Sequence, residues 1–380
     1  MPADQDSGGT DESSRADATP APPAPPAQGT AGCPKNMEHG PCGGVDFSGR
    51  CEVAEHACSF LELAPVRWQG TKSESGHSPS MAADPTGAVV ASAGAVRMRD
   101  RIAAGPIVVA DFPARALDAG SLRDCALALA GSVDAVLAGD SGTARVQYPP
   151  SYRAMLLREA GIAPWMGVNA RDRNRVALEA EAAGLAHAQT AGVHCVTGDH
   201  TLIGSRPDAA PVFDLDSTQL AALMSERGHL VSVAESPLSP PTHARPARLL
   251  EKQRAGAQIC FVNHAGGVGP VQQFIAGAQE LGVTMGFIPC VPVIVDRASA
   301  DLIRGFTSLS LPEGYLEGIT ESADVQGAGV RAAVALSLAF LAIPGVVGAD
   351  LSGGPGAGRE VEFAEAEAHI GAAVRGALAP

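Results

Sequence analysis

The stretch VHCVTGDH, Val193–His200, decides the fold. Apolar and small residues run into Gly198-Asp199, the pattern of a buried strand that ends in a tight turn and exposes an acid. A run this short also fits a piece of buried helix, and the glycine directly after it tips the reading to strand. The same order recurs along the chain: an apolar run, then an acid or amide, then a helical stretch.

Working outward from it, eight strands are expected: Ile107–Asp111, Ala135–Asp140, Trp165–Asn169, Val193–Asp199, Leu230–Glu235, Ile259–Asn263, Thr284–Cys290 and Val346–Ser352. Between them lie helical stretches at Leu122–Ala130, Ser151–Ala160, Arg173–Ala191, Ser217–Arg227, Pro246–Ala255, Val271–Leu281, Arg297–Arg304 and Val330–Leu341. Several have apolar residues at helical spacing, as Leu220, Leu223 and Met224 do. Asp216 or Ser217 is the expected N-cap of its helix. Strands that alternate with helices imply a parallel sheet, and eight units imply a closed (β/α)8 TIM barrel. An open doubly wound sheet is the runner-up. No G-x-G-x-x-G follows the first strand, and the GGVGP at Gly266–Pro270 follows a late one.

Bulk properties set the outer limits. The chain has 380 residues, 46% of them hydrophobic, and a formal net charge of -14. An acidic balance speaks against a nucleic-acid surface, which needs a clustered basic face. No apolar run reaches ~18 residues, so no membrane span is expected. The N-terminus lacks a positive start before an apolar core, so the expectation is a cytoplasmic protein. Residues 1–31, rich in Pro, Ala, Ser, Gly and Asp, are expected to be a disordered tail. Residues 32–68 form a Cys-rich module, residues 69–94 a linker, and residues 95–380 the barrel.

The module holds Cys33, Cys42, Cys51 and Cys58 at spacing C-x8-C-x8-C-x6-C. Four thiols among Gly-rich turns suit a closed structural zinc shell, but this spacing leaves zinc and unconnected thiols both open. His39 and His56 are read as surface residues, with substitute ligand as the other option. Cys125, Cys195, Cys260 and Cys290 sit in apolar contexts and read as core packing. His194 reads as a barrel residue, whereas His200 and His264 follow strand ends and are open to a ligand role. Acids and alanines at Glu360–Glu367 read as a solvated helix.

In a barrel of this kind the chemistry sits at the C-terminal strand ends. Those ends hold Asp111, Asp140, Asn169, Asp199, Glu235, Asn263 and Asp350, with Arg171, Arg173 and Lys252 nearby. Any one such acid can be a plain helix cap, but polar groups at so many ends fit caps poorly. An acidic and amide-rich ring suits a heterocycle with ring N–H donors and a carboxylate tail better than a phosphate. No G-x-S-x-G turn is present.

Several stretches resemble the methylenetetrahydrofolate reductase family, above all the reductase half of bacterial proteins that fuse it to homocysteine methyltransferase. They are AVLAGDSGTAR (Ala135–Arg145), VNARDRN (Val168–Asn174), CVTGDH (Cys195–His200), PVFDLDS (Pro211–Ser217), LLEKQRAGAQ (Leu249–Gln258), FIPCVPV (Phe287–Val293) and LPEGYLEGI (Leu311–Ile319). The CPK and GPCGG runs resemble the zinc-binding module found beside such reductases. This resemblance implies structural zinc on Cys33, Cys42, Cys51 and Cys58, and a barrel that takes 5,10-methylenetetrahydrofolate. It places Asp140, Asn169, Arg171, Asp172, Asn174, Thr197, Gly198, Asp199, Lys252 and Asn263 around the folate and flavin.

The sequence also departs from the family. Its catalytic glutamate precedes a Pro-Pro pair on the first strand, where this chain reads VADFPAR and offers Asp111. The family's Thr-Gln after the sixth strand reads Val262-Asn263, its flavin loop reads ESPLSPP at Glu235–Pro241, and its third-strand histidine is Trp165. Asp111 is thus the expected catalytic acid, with Glu235 in reserve. Three functions stay open. The first is a reductase making 5-methyltetrahydrofolate for methionine biosynthesis, with FAD or with NAD(P)H directly. The others are a flavin-free one-carbon transferase and a non-catalytic folate-binding partner subunit. The folate is the expected small-molecule partner, and both a homo-oligomer and a partner subunit remain open.

Overall fold

A computed structural model describes residues 32–70, 91–140, 144–306 and 309–378. The expected tail at residues 1–31 and most of the expected linker lie outside the described residues.

The eight strands are β1 (Ile107–Asp111), β2 (Ala135–Ala138), β3 (Pro164–Asn169), β4 (Gly192–Val196), β5 (Val231–Glu235), β6 (Ile259–Val262), β7 (Gly286–Pro292) and β8 (Gly348–Ser352). Each pairs in parallel with the next, and β8 returns to β1, so the sheet is a closed (β/α)8 barrel. The helices are α1 (Ala93–Ala104), α2 (Ala119–Leu129), α3 (Pro150–Glu159), α4 (Arg175–His187), α5 (Ser217–Glu226), α6 (Arg245–Arg254), α7 (Val268–Glu280), α8 (Arg297–Arg304), α9 (Tyr315–Thr320), α10 (Val325–Leu341) and α11 (Glu360–Leu378). All eight expected strands and all eight expected helices are present, β1 and α8 with the expected bounds and the others with shifted ends. Asp216 caps α5 in a full capping box with Gln219.

Alternation along the strands sorts side chains to two sides of the sheet. Ile107, Val109, Ala135, Trp165, Leu230, Ile259, Phe261 and Ile288 pack together inside the barrel. Val108, Ala110, Val136, Val168, Val193, Cys195, Val231, Val233 and Val262 pack outward against the helices. Burial of a side chain such as Trp165 or Phe261 contributes roughly 2–3 kcal/mol. The Trp165 indole donates to Ser232 Oγ at 2.9 Å and meets Phe261 edge-on, so Trp165 forms part of the barrel floor.

Three helices differ from the sequence expectation. The unanticipated α1 seals the bottom of the barrel, with Ala95 and Met98 buried beside Ile107 and Trp165. Helix α9 was likewise not anticipated, and with α8 it builds a satellite core of Ile294, Ala300, Ile303, Leu316 and Ile319. The stretch read as a solvated helix at Glu360–Glu367 is instead the start of α11. That helix packs on α2 and buries Phe363, Ala364, Glu367, Ile370 and Val374. Its alanines, interspersed with acids, mask an apolar face that begins at Phe363 and continues through Ile370 and Val374.

Phe363→Ala is therefore expected to destabilise the protein by about 3–5 kcal/mol. Equilibrium urea unfolding would show it, and a loss below about 1 kcal/mol would return α11 to the role of a solvated helix.

Candidate functional site

The inward alternation that buries Ile107 and Val109 sends Asp111 into the mouth of the barrel at the end of β1. The same alternation on the other strands brings Asn169, Asn263, Cys290 and Asp350 inward. Asp111 Oδ2 accepts from the Gly353 N–H at 3.3 Å, and the Cys290 thiol donates to Asp350 Oδ2 at 3.4 Å. Burial pushes the Asp111 carboxyl up to about 6, although its hydrogen bonds with Ser352 and Gly353 work the other way. Burial and the Asp111 charge push Asp350 well above the usual carboxylate range, and burial with both acids does the same to Glu367. Asp350 Oδ1 and both Glu367 carboxyl oxygens have no hydrogen-bond partner. Buried carboxyls without a cation beside them keep their protons to higher pH; Asp350 and Glu367 are therefore neutral, and Asp111 is the acid of this side whose charge changes near 6.

The β2–β3 side is different. Arg171 reaches Asp140 at 2.7 Å and Asp172 at 3.1 Å, and Asn169 donates to Asp140 at 3.0 Å. Asp140, Asn169, Arg171 and Asp172 are thus one hydrogen-bonded group. Asn174 lies apart from it and caps α4 by accepting from the Ala177 N–H. Gly198 has φ +89, and an added Cβ would sit 2.9 Å from the Asn169 Cβ, so glycine is required there. Asp199 is exposed and meets Arg145 at 3.2 Å. Asn263 donates to Ser236 Oγ at 2.7 Å. Among the described residues Asp111, Asp140, Asp199 and Asn263 share no direct hydrogen bond; each belongs to a separate polar group around the rim.

Glu235 falls on the outward alternation of β5 and meets α6. Its carboxylate is fully buried between Arg245 at 3.0 Å and Lys252 at 2.9 Å. Burial alone would raise its pKa, but Lys252 and Arg245 outweigh burial and hold it below the usual range. Glu235 is therefore an ionised partner of two cations, which corrects its reading as a reserve proton donor. Lys252 also donates to the Ala234 carbonyl at 2.6 Å, so its ammonium bridges the β5 backbone and the Glu235 carboxylate.

The Cys-rich segment sits on the β4–β6 side of the same rim. Asp216, the α5 cap, accepts from the backbone N–H groups of Glu38 and His39 and pairs with the His39 ring at 3.0 Å. His39 is thus buried in this contact and not a surface residue. Glu52 pairs with Lys35 at 2.5 Å and accepts from the His200 N–H at 3.0 Å. Thr197 donates to Met37 Sδ and accepts from the Ser217 N–H. Gly40 comes so close that a Cβ would stand 2.6 Å from the Arg248 side chain. Burial alone would lower the Lys35 pKa, but the charges of Cys42, Glu52 and Asp199 raise it well above the ordinary value.

The thiols of Cys33, Cys42, Cys51 and Cys58 are free and line one cavity. Burial raises the Cys33 and Cys58 pKa values, and the neighbouring thiols add to it. Among the described residues, no three His, Cys, Asp or Glu side chains are drawn together closely enough to hold a metal ion. The four thiols have the donor chemistry of a zinc site without being gathered into one. Cys125, Cys195, Cys260 and Cys290 are buried. His194 is a core residue bonded to Ser232, and burial holds it neutral. His264 is buried with neither ring nitrogen partnered.

Residues 29–78 match a family model described as the methylene-tetrahydrofolate reductase C terminal. No curated protein matches the chain. The fold is similar to that of an uncharacterized protein from Clostridium thermocellum described as binding two copies of 5-methyl-5,6,7,8-tetrahydrofolic acid. The TM-score is 0.51 at 10% identity, over 71% of this chain and 97% of that one. Weaker likenesses are to 2,3-dimethylmalate lyase, with a TM-score of 0.42 at 13% identity over 70% and 79% of the two chains, and to oxaloacetate acetylhydrolase, with 0.39 at 16% over 71% and 93%. The Clostridium likeness bears on the barrel fold. No helix among the described residues is long and apolar enough to cross a membrane.

Sequence reasoning missed two residues here. Arg245 carried a signal, because Arg245, Arg248 and Lys252 fall at i, i+3 and i+7 on the buried face of α6. Glu367 carried none, since its burial follows from how α11 packs.

Lys252→Met is expected to cost about 3–5 kcal/mol, because it strips a buried carboxylate of one cation. Adding Glu235→Gln should recover most of that loss in denaturant unfolding at neutral pH. An equal loss in the single and double variants would show that the two groups are not coupled.

Proposed function

We propose that the chain is a methylenetetrahydrofolate-reductase-like enzyme acting on the one-carbon unit of 5,10-methylenetetrahydrofolate to give 5-methyltetrahydrofolate. One observation carries this reading: the segment that matches the reductase family model seats its own residues on the mouth of the barrel. Asp111 enters that mouth from β1, four strands away from β5 in the closed order. The Clostridium protein's described ligand supports a folate for a barrel of this kind.

In this reading the pterin ring presents N–H donors and acceptors to Asp140, Asn169 and Asn263. Asp111 donates its proton to a nitrogen of the five-membered imidazolidine ring. The carbon–nitrogen bond then opens, its electron pair stays on that nitrogen, and the bridging carbon becomes an electrophile. Hydride from a nicotinamide co-substrate completes the reduction. The ionised Glu235 is unsuited to the first step, and a carboxyl near 6 is suited to it.

The residues fit a flavin poorly. Lys252, which the family resemblance places near it, is bound to Glu235, and Arg245 holds the carbonyls of Ser239 and Pro240 in the corresponding loop. That observation favours flavin-free chemistry, including the second reading, a transferase in which a nucleophile other than hydride attacks the same carbon. A visible absorption spectrum of purified protein tests it: a stoichiometric flavin band would overturn the flavin-free form of both readings.

For the thiol cavity we infer structural zinc held by Cys33, Cys42, Cys51 and Cys58. Burial and the neighbouring thiols raise Cys33 and Cys58, which share one cavity with Cys42 and Cys51, and a dication bound there would relieve them. Metal analysis should return about one zinc per chain, and a value well below that would remove the assignment.

Asp111→Asn is expected to lower turnover about 10²–10⁴-fold. In the wild type, the rate set by protonated Asp111 should be full at low pH and fall as pH rises through about 6. Stability follows the same sign: the contribution of neutral Asp111 is complete below its unfolded value of 3.8 and lost as pH rises through about 6. Thermal unfolding from about pH 5 to about pH 8 should thus move in favour of Asp111→Asn as pH rises. Unchanged turnover in the variant would give Asp111 another job.

A further inference from the structure

Arg245 is the residue through which the Cys-rich segment reaches the interior of the barrel wall. Its guanidinium is fully buried and spends every donor. Nε bonds the Ser239 carbonyl at 2.7 Å, and Nη1 bonds Glu235 Oε1 at 3.0 Å. Nη2 bonds Ser239 Oγ at 2.9 Å and the Pro240 carbonyl at 2.7 Å. Both terminal nitrogens also donate to the Cys42 carbonyl at 3.1 Å. One planar fork thus joins the backbone of a thiol-bearing residue to the Glu235–Lys252 pair.

Other contacts run the same way. Ser239 Oγ donates to the Val45 carbonyl at 2.9 Å, so the loop after β5 is fastened to the segment on both sides of Arg245. An added Cβ on Gly43 would stand 3.1 Å from Ser236 Oγ, the atom that receives the Asn263 amide. A shift of the Cys42–Val45 backbone would therefore disturb Glu235, Ser236 and Asn263 together.

We propose that Arg245 is a positioning residue that couples the state of the four-thiol cluster to the β5–β6 rim. The Cys42 carbonyl seated in the guanidinium fork fixes Glu235 and Lys252, and displacement of the thiol cluster releases them. That this rim takes a folate rests on the function proposed above; the coupling itself does not.

The test uses the full chain. The half-buried thiols of Cys33, Cys42, Cys51 and Cys58 are capped with N-ethylmaleimide, and intact mass confirms that the four buried cysteines are untouched. Hydrogen exchange is then followed across residues 231–252. Capping is expected to speed exchange there about tenfold or more, and to leave α2, α3 and α11 unchanged. Four capped thiols with unaltered exchange at 231–252 would overturn the proposal.

Arg245→Lys provides the second arm. A lysine can keep one bond to Glu235 but lacks the fork that also holds Cys42. In this variant exchange at 231–252 should already be fast and should no longer respond to capping. A variant that responds as the wild type does would also overturn the proposal, and if the variant fails to fold the wild-type arm decides alone. Binding of 5-methyltetrahydrofolate is measured in parallel. Coupled exchange with no folate binding in either state would uphold the role of Arg245 and sink the folate reading instead.

Discussion

Closure of β8 onto β1 is the constraint that the rest of the molecule depends on. Four residue pairs, Ile107↔Gly348 through Ala110↔Leu351, join the two ends of the sheet. The contact is close enough that a Cβ on Gly348 would lie 2.7 Å from the Ile107 carbonyl oxygen. Once the register is set there, the alternation of every strand is set around the ring. Asp111 and Asp350 then face one interior, while Glu235 is turned outward to α6. A register shifted by one residue would exchange those roles, so the chemistry of the mouth is fixed by backbone pairing well below it.

The Cys-rich segment has little regular structure and a small apolar interior of Met37, Val45 and Phe60. Much of what holds it in place is buried polar contact with the barrel. Asp216 illustrates this economy: one carboxylate caps α5, accepts two segment N–H groups and pairs with His39. Arg248 supports it from α6, bonding Thr218 and Ser217 at the start of the same helix. Charges buried in this way contribute little net stability but penalise any misplaced arrangement, because one lost partner leaves another stranded. The segment is therefore seated in a specific orientation.

The barrel was legible in the sequence because strands and helices differ in period, and because Gly198 and the acids mark the ends of the strands. Asp140, Asn169, Arg171 and Asp172 were legible as a group for the same reason: they lie at the ends of two neighbouring strands. What could not be read was direction. Glu235 and Asp111 look alike in sequence, each an acid closing an apolar run, yet one is held between the α6 cations Arg245 and Lys252 while the other is buried with no cation paired to it. Counting back by twos from each acid to the residues of the floor would have separated them. Glu367 and α1 offered no such handle, since their burial depends on the packing of helices far apart in sequence.

The rim is thus divided by charge state. On the β7–β8–β1 side, burial keeps Asp350 and Glu367 protonated and raises Asp111 to about 6. On the β5 side, Glu235 is ionised and neutralised by Arg245 and Lys252. Two sets of carboxyls whose environments push their pKa values apart thus lie on opposite sides of the barrel wall, Asp111 inside it and Glu235 outside against α6. Asp111 is the acid that closes β1 on the inner face. A shorter side chain starts from a lower intrinsic pKa, and burial is what brings Asp111 back up to about 6.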